Sequence, residues 1–176
     1  MGGVPVQRAA LAWHGLAVKV RALRAVRCAG YRLAVDAAAS PYPQLLQPVL
    51  DCTNPRLLAE FYRQLLGLVY RDGDEPSEFG PDDPERDWLV LLGLSGERSL
   101  AFQQVDELQP TTWPMPGVPQ QMHLDMTVAS CAELDAQHER AITLGARMVL
   151  DRTDDPQEPL RLYADPAGHM FCIFVA

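Results

Sequence analysis

The sequence predicts an α+β fold built from two tandem βαβββ modules, and three observations lead to this prediction. A helix with clear start and stop signals opens at Asn54-Pro55 and ends before Gly67. The order of one strand, one helix and three strands occurs twice between residues 44 and 176. The two copies can be aligned, so that Leu66-Gly67 matches Leu144-Gly145. Neither copy can cover its own sheet, so we expect the two to pack side by side into one curved mixed sheet around a cleft.

The first module begins with a strand expected over residues 45–52, where Pro48 favours an edge position. Asn54 is a good helix N-cap, and Pro55 suits the first helical position. Apolar residues follow at helical spacing, namely Leu58, Phe61, Tyr62, Leu65 and Leu66. A strand over 68–71, an acidic loop over 72–87 and a hairpin of strands at 88–94 and 99–105 complete the module.

The second module repeats this order after a proline-rich linker at residues 106–120. A strand is expected at 121–128, a helix at 132–144, and strands at 146–150, 160–164 and 170–175. We therefore divide the chain into an N-terminal extension (1–43), module one (44–105), the linker and module two (121–176).

Charge separates the extension from the rest of the chain. Residues 1–40 contain six basic residues and one acidic residue, whereas the remainder contains nine basic and 22 acidic residues. Three interpretations of the extension are open: a basic amphipathic helix on an anionic membrane surface, a transit-like peptide, or a poorly ordered addition. The strongly acidic remainder argues against nucleic-acid binding, which needs clustered Lys and Arg.

Composition narrows the class of protein further. No apolar run approaches the ~18–20 residues that would span a bilayer. The four cysteines, Cys28, Cys52, Cys131 and Cys172, form no C-x-x-C pair and suggest neither a zinc knuckle nor a disulfide framework. We expect reduced thiols in a cytoplasmic protein.

Three stretches resemble the vicinal oxygen chelate superfamily, which includes glyoxalases, bleomycin-resistance proteins and extradiol dioxygenases. They are LDCTNPRLLAEFYRQLLGL (50–68), QMHLDMTV (121–128) and LYADPAGHMFCIFV (162–175). The resemblance covers residues 44–176 and implies the two-module glyoxalase-like fold. It is weak for the activity, because this superfamily includes isomerases, hydrolases, dioxygenases and drug-binding proteins.

The resemblance implies four metal positions, one on the first and one on the last strand of each module. They fall on Gln47, Gln103, His123 and Cys172. The glutamates usual in the family are replaced by Gln103 and Cys172, so we expect a degenerate metal site and no bound cofactor. The alternative is a working site for zinc, nickel, iron or manganese, in which Cys172 binds as a thiolate.

Further residues are candidates for catalysis and for ligand contact. Asp125, on the same strand face as His123, is the candidate catalytic base, and the alternative is a polar residue lining a solvated cleft. Trp113 either covers the cleft or packs against a partner subunit. The candidate ligand-binding residues are Trp88, Phe102, Gln104, Trp113, Asp125 and Tyr163.

The sequence thus favours a glyoxalase-like protein that binds a small molecule in its cleft. The alternatives are a metal-dependent lyase or isomerase of glyoxalase type, and a resistance protein that sequesters an antibiotic. The resemblance also implies a homodimer.

Overall fold

The computed structural model describes residues 42–76 and 86–176, which form ten regular elements. Module one contains β1 (Val49–Cys52), α1 (Pro55–Leu66), β2 (Val69–Tyr70), β3 (Trp88–Leu92) and β4 (Arg98–Gln104). Module two contains β5 (His123–Val128), α2 (Cys131–Thr143), β6 (Arg147–Arg152), β7 (Leu160–Ala164) and β8 (Met170–Val175). This order confirms the predicted α+β fold of two βαβββ modules.

The strands pair in the same way in both modules. Module one has the strand order β1-β4-β3-β2, and module two has the order β5-β8-β7-β6. In each, the first strand runs parallel to the last, and the remaining pairs are antiparallel. The single sheet expected from the sequence is therefore divided, within the described residues, into two four-stranded sheets that have β1 and β5 at their edges.

Helix α1 is specified locally by its two ends. The Asn54 side chain accepts a hydrogen bond from the backbone N–H of Leu57 at 2.9 Å, and Pro55 begins the helix. Gly67 ends it in the left-handed conformation with φ of 68°, where a residue with a Cβ would be strained. The predicted start and stop are both confirmed.

The core lies between the helices and one face of each sheet. Phe61 and Tyr62 of α1 contact Phe171 of β8, with ring centroids 5.9 and 6.4 Å apart, and Tyr62 also stacks on Phe102 of β4. Helix α1 therefore packs against strands of both modules. We call the sheet face that packs on the helices the helix face, and the opposite face the open face.

The acidic segment after β2 is anchored at Asp74 instead of being wholly solvated. Asp74 is buried, and its carboxylate accepts hydrogen bonds from Arg71, Arg86 and the backbone N–H of Val90. Residues 77–85 of this segment lie outside the described residues, as do residues 1–41, so the predictions for the extension stay predictions.

Several strand boundaries differ from the sequence expectation: β3 ends at Leu92, β5 begins at His123 and β6 runs to Arg152. The start of β1 and the form of the linker differ for clear physical reasons. Strand β1 begins only at Val49, because Pro48 has no N–H and the exposed Leu45 and Leu46 have no core to enter. The expected linker is a hydrogen-bonded loop, in which Thr112 Oγ1 accepts from the N–H of Val118 and donates toward backbone carbonyls nearby. A Cβ at Gly117 would lie 2.8 Å from that same hydroxyl, so the loop needs glycine there.

No helix in the described part of the chain is both long enough and apolar enough to cross a membrane.

Candidate functional site

The start of each helix identifies which positions of the two modules correspond. Asn54 is the N-cap of α1 and Ser130 is the N-cap of α2. Counting back equally from the two caps, Gln47 corresponds to His123 and Val49 corresponds to Asp125. Val49 pairs with Ala101 and Asp125 pairs with Cys172, so Ala101 corresponds to Cys172.

Gln47 precedes β1, and its Oε1 accepts a hydrogen bond from Arg98 at 3.1 Å. Gln103 lies on the open face next to Asp51. The counterpart of His123 in module one is thus a neutral amide that already has a hydrogen-bond partner, and the metal roles implied for Gln47 and Gln103 stay predictions.

Module two brings three potential metal ligands together on its open face. His123, Asp125 and Cys172 each offer one donor atom, and these atoms all lie within 4.8 Å of one another. His123 Nε2 lies 3.3 Å from Asp125 Oδ1. Imidazole, carboxylate and thiolate are all zinc ligands, so this donor set fits a zinc ion with a fourth position left open.

The thiol of Cys172 is protonated at neutral pH. Burial and then the neighbouring Asp125 carboxylate raise its pKa to about 11, because both disfavour the thiolate. A metal that binds this cluster must therefore displace the thiol proton.

Gln120 and Asp125 lie on either side of the His123 ring. Gln120 Nε2 is 3.5 Å from His123 Nδ1, and which of the two donates depends on the histidine tautomer. When Nδ1 accepts from the amide, the ring proton lies on Nε2, which faces Asp125 Oδ1.

Trp113 covers part of the open face of module two. It packs with Val149 and Cys172 against the buried residues Leu162, Ala164 and Met170. Trp113 does not line the cavity described below, and the expectation that it covers a cleft or packs against a partner subunit stays a prediction.

A cavity of 310 Å³ lies where the modules and the loop between them meet. Strand β1 contributes Val49, Leu50 and Asp51 to its wall. The loop contributes residues 108–111 and 118–122, and the turn before β8 contributes residues 167–170. Gln120 and Met122 line the cavity, so it begins beside His123.

The turn before β8 is held rigidly against module one. Asp165 is buried and accepts hydrogen bonds from the Tyr62 hydroxyl at 2.8 Å and from the N–H groups of Ala167 and His169. Burial is the main reason that the pKa of Asp165 is raised. The His169 ring donates from Nε2 to the Asp51 carbonyl at 2.7 Å, which joins the turn to β1.

The remaining candidate ligand-binding residues separate into surface and core positions. Trp88 is half-buried on the open face of module one, beside Gln103, and Gln104 is exposed at the end of β4. The structure places Phe102 and Tyr163 in the hydrophobic core, where Phe102 stacks on Tyr62 and Tyr163 stacks on Phe171. The alternation of side chains along each strand places both on the helix face, so both are fully buried.

Sequence reasoning missed the wall that the loop provides. Its many prolines indicated a linker, although the repeated Thr111-Thr112 and Gly117 were signals of an ordered turn. The glutamines at 109, 120 and 121 carry no pattern that would have marked them as cavity residues.

A comparison with protein-family models matches residues 47–174 to the glyoxalase-like domain. No curated protein matches the chain.

Solved structures give the same fold. A glyoxalase/bleomycin resistance protein/dioxygenase family enzyme from Burkholderia phytofirmans has a TM-score of 0.55 at 13% identity, over 76% of this chain and 98% of that one. The fosfomycin resistance protein FosX from Listeria monocytogenes, complexed with Mn(II) and sulfate, has a TM-score of 0.53 at 17% identity, over 77% and 93%. A related domain from Frankia has a TM-score of 0.53 at 14% identity, over 77% and 93%. At these identities the likeness shows the fold.

Proposed function

Because the chain belongs to the glyoxalase-like domain family, we propose that it binds a small molecule in the cavity beside His123, and that this binding needs no metal. The cavity carries the proposal, since its volume lies at the lower end of the ~300–1,000 Å³ usual for ligand pockets. Its wall combines apolar side chains with a few polar groups, which is the composition that small-molecule sites have.

The division of ligands between the modules supports binding without a metal. His123 has the neutral Gln47 as its counterpart, and Asp125 and Cys172 have the apolar Val49 and Ala101. Module one therefore contributes no anionic group at the corresponding positions. A site shared between the two modules would lack the charge that a divalent metal prefers.

A ligand screen tests the proposal. Thermal shift of the full chain against a library of small molecules is expected to give stabilising ligands whether or not EDTA is present. Fosfomycin belongs in the library, because antibiotic sequestration is an alternative and a fosfomycin resistance protein shares the fold. Val49→Phe, which fills the cavity from a partly exposed strand position, should abolish the shifts. Retention of every shift in that variant would place binding elsewhere.

A metal-dependent lyase or isomerase is the second candidate, favoured by the three donors of module two. His123, Asp125 and Cys172 would hold the ion, which when bound would polarise a substrate oxygen. The high pKa of the Cys172 thiol means that protons compete with the metal. We therefore expect zinc affinity to rise about tenfold per pH unit from pH 6 to 9. Zinc affinity independent of pH would contradict a thiolate ligand.

We further propose that the chain forms a homodimer and acts in the cytoplasm. The edge strands β1 and β5 each pair with one strand within the described residues, which leaves one side of each for a partner. Light scattering at micromolar concentration should give twice the chain mass of 19.5 kDa. The mass of a single chain would refute the dimer.

A further inference from the structure

We propose, resting on the function proposed above, that the ligand is a small ammonium compound with an apolar body. The polar groups of the cavity wall carry this inference. Within the described residues, the wall contains one carboxylate, Asp51, and neither Lys nor Arg. A ligand that carries a positive charge and N–H donors matches such a wall, and an anion does not.

Asp51 is placed to act as the counter-ion. It lies on β1 at the wall of the cavity and is exposed to solvent. Its backbone carbonyl is already occupied by the His169 ring, whereas its carboxylate accepts no hydrogen bond within the described residues. An ammonium group that enters the cavity can therefore use the carboxylate without breaking an existing contact.

Gln120 adds an acceptor that has no partner. Its Oε1 is buried and receives no hydrogen bond, while its Nε2 faces His123. Burying an unpaired acceptor is costly, so a ligand N–H that reaches it after a small rotation of the amide removes that cost. A ligand with acceptors alone would leave it unpaired.

Two side-chain donors of the cavity wall are already used. The Nε2–H of His169 is directed to the Asp51 carbonyl, and the hydroxyl of Thr111 donates to the Val118 carbonyl. An anionic ligand would find neutral glutamine amides as donors and neither Lys nor Arg to offset the loss of its hydration. The acidic composition of residues 41–176 also attracts cations and repels anions at long range.

The apolar side chains of the wall indicate the size and the apolar character of the uncharged part of the ligand. Val49, Leu108, Val118 and Met122 line the cavity together with Pro110 and Pro119. A cavity of 310 Å³ accommodates a compound about the size of a single substituted ring.

Three probes of equal size and different charge test the inference: benzylamine, benzyl alcohol and benzoate. Binding to the full chain is measured at neutral pH by calorimetry and ligand-observed NMR. Benzylamine is expected to bind at least about fivefold more tightly than benzyl alcohol, with benzoate the weakest. Asp51→Asn should reduce benzylamine affinity about fivefold and leave benzyl alcohol unchanged. The matched control Glu139→Gln removes the same charge from the exposed surface of α2 and should leave all three unchanged.

The outcomes separate this inference from the proposed function. Benzyl alcohol or benzoate binding as tightly as benzylamine, with loss of binding in Val49→Phe, would overturn the ammonium ligand and keep the cavity as a binding site. Equal losses of benzylamine affinity in Asp51→Asn and Glu139→Gln would show that the effect comes from the net charge of the protein. That result would overturn the role of Asp51. No binding of any probe would overturn the inference, and the wider library screen would then decide the proposed function by itself.

Discussion

The two modules share one fold but contribute differently to the molecule. Module one has the more buried helix, and module two has the cluster of potential metal ligands. Helix α1 buries seven of its residues, whereas α2 buries Leu134 and Ala141 alone. Aromatic side chains of α1 contact strands of both modules, so α1 joins the two modules. Module two instead presents His123, Asp125 and Cys172 at positions where module one has Gln47, Val49 and Ala101. The two modules thus share one strand order, while the residues on their open faces differ.

The largest effect is expected from breaking the α1 packing. Phe61→Ala removes a buried ring that contacts Tyr62 and Phe171, and should lower the free energy of unfolding by about 3–5 kcal/mol. Ile142→Ala on the more exposed α2 should change it by less than about 0.5 kcal/mol. Urea denaturation measures both. Similar losses in the two variants would contradict the unequal role of the helices.

Asp165 tests the polar contact between the modules. Asp165→Ala leaves the Tyr62 hydroxyl and two backbone N–H groups without their acceptor, and should destabilise the protein by about 3 kcal/mol. Asp165→Asn keeps an acceptor oxygen and should lose less. An equal loss in both variants would mean that the carboxylate charge, and not the acceptor, matters.

The metal ligands of module two can be removed one at a time. His123→Ala should weaken zinc binding more than about 100-fold, because one of three ligands is lost. Gln103→Ala removes the module-one position that the resemblance implies as a metal ligand, and should leave zinc affinity unchanged. Competition with a zinc indicator gives both affinities. Weakening in Gln103→Ala would show that the two modules share one site.

The pH dependence of stability should reveal the buried carboxylate. Because burial raises the pKa of folded Asp165 above its unfolded value, its contribution to stability is present at low pH and is lost as pH rises through the folded pKa. The difference in unfolding free energy between the wild type and Asp165→Asn should therefore shift in favour of the wild type on acidification. Denaturation curves of the two proteins from pH 4 to 8 measure it, and a difference independent of pH would contradict the raised pKa.

The smallest effect is expected on zinc binding, in a variant whose module one carries the donor types of module two. Val49→His combined with Gln103→Cys reproduces the three donor types beside Asp51. Cys172 is packed among apolar residues with Trp113, whereas Gln103 is exposed, so we expect a second zinc equivalent of weaker affinity. Metal content after dialysis counts the equivalents. A single equivalent would show that equal registers do not suffice for equal sites.

Local sequence signals determined the helices, most of the strands and the duplication. The Asn54-Pro55 start and the Gly67 stop act through hydrogen bonds and backbone conformation within a few residues of the chain. The same holds for the alternation of β5, which places His123 and Asp125 on one face. Residues 1–41 of the basic extension lie outside the described residues, so the three interpretations of the extension stay predictions.

Tertiary structure alone decided which residues meet. The pairing of β1 with β4 sets Asp51 beside Gln103, and the pairing of β5 with β8 sets Asp125 beside Cys172, because a strand register depends on contacts between distant segments. The cavity likewise needs β1, the proline-rich loop and the turn before β8 to meet in space. Residues 49, 120 and 169 come together there through long-range packing. Their spacing along the chain does not predict this contact.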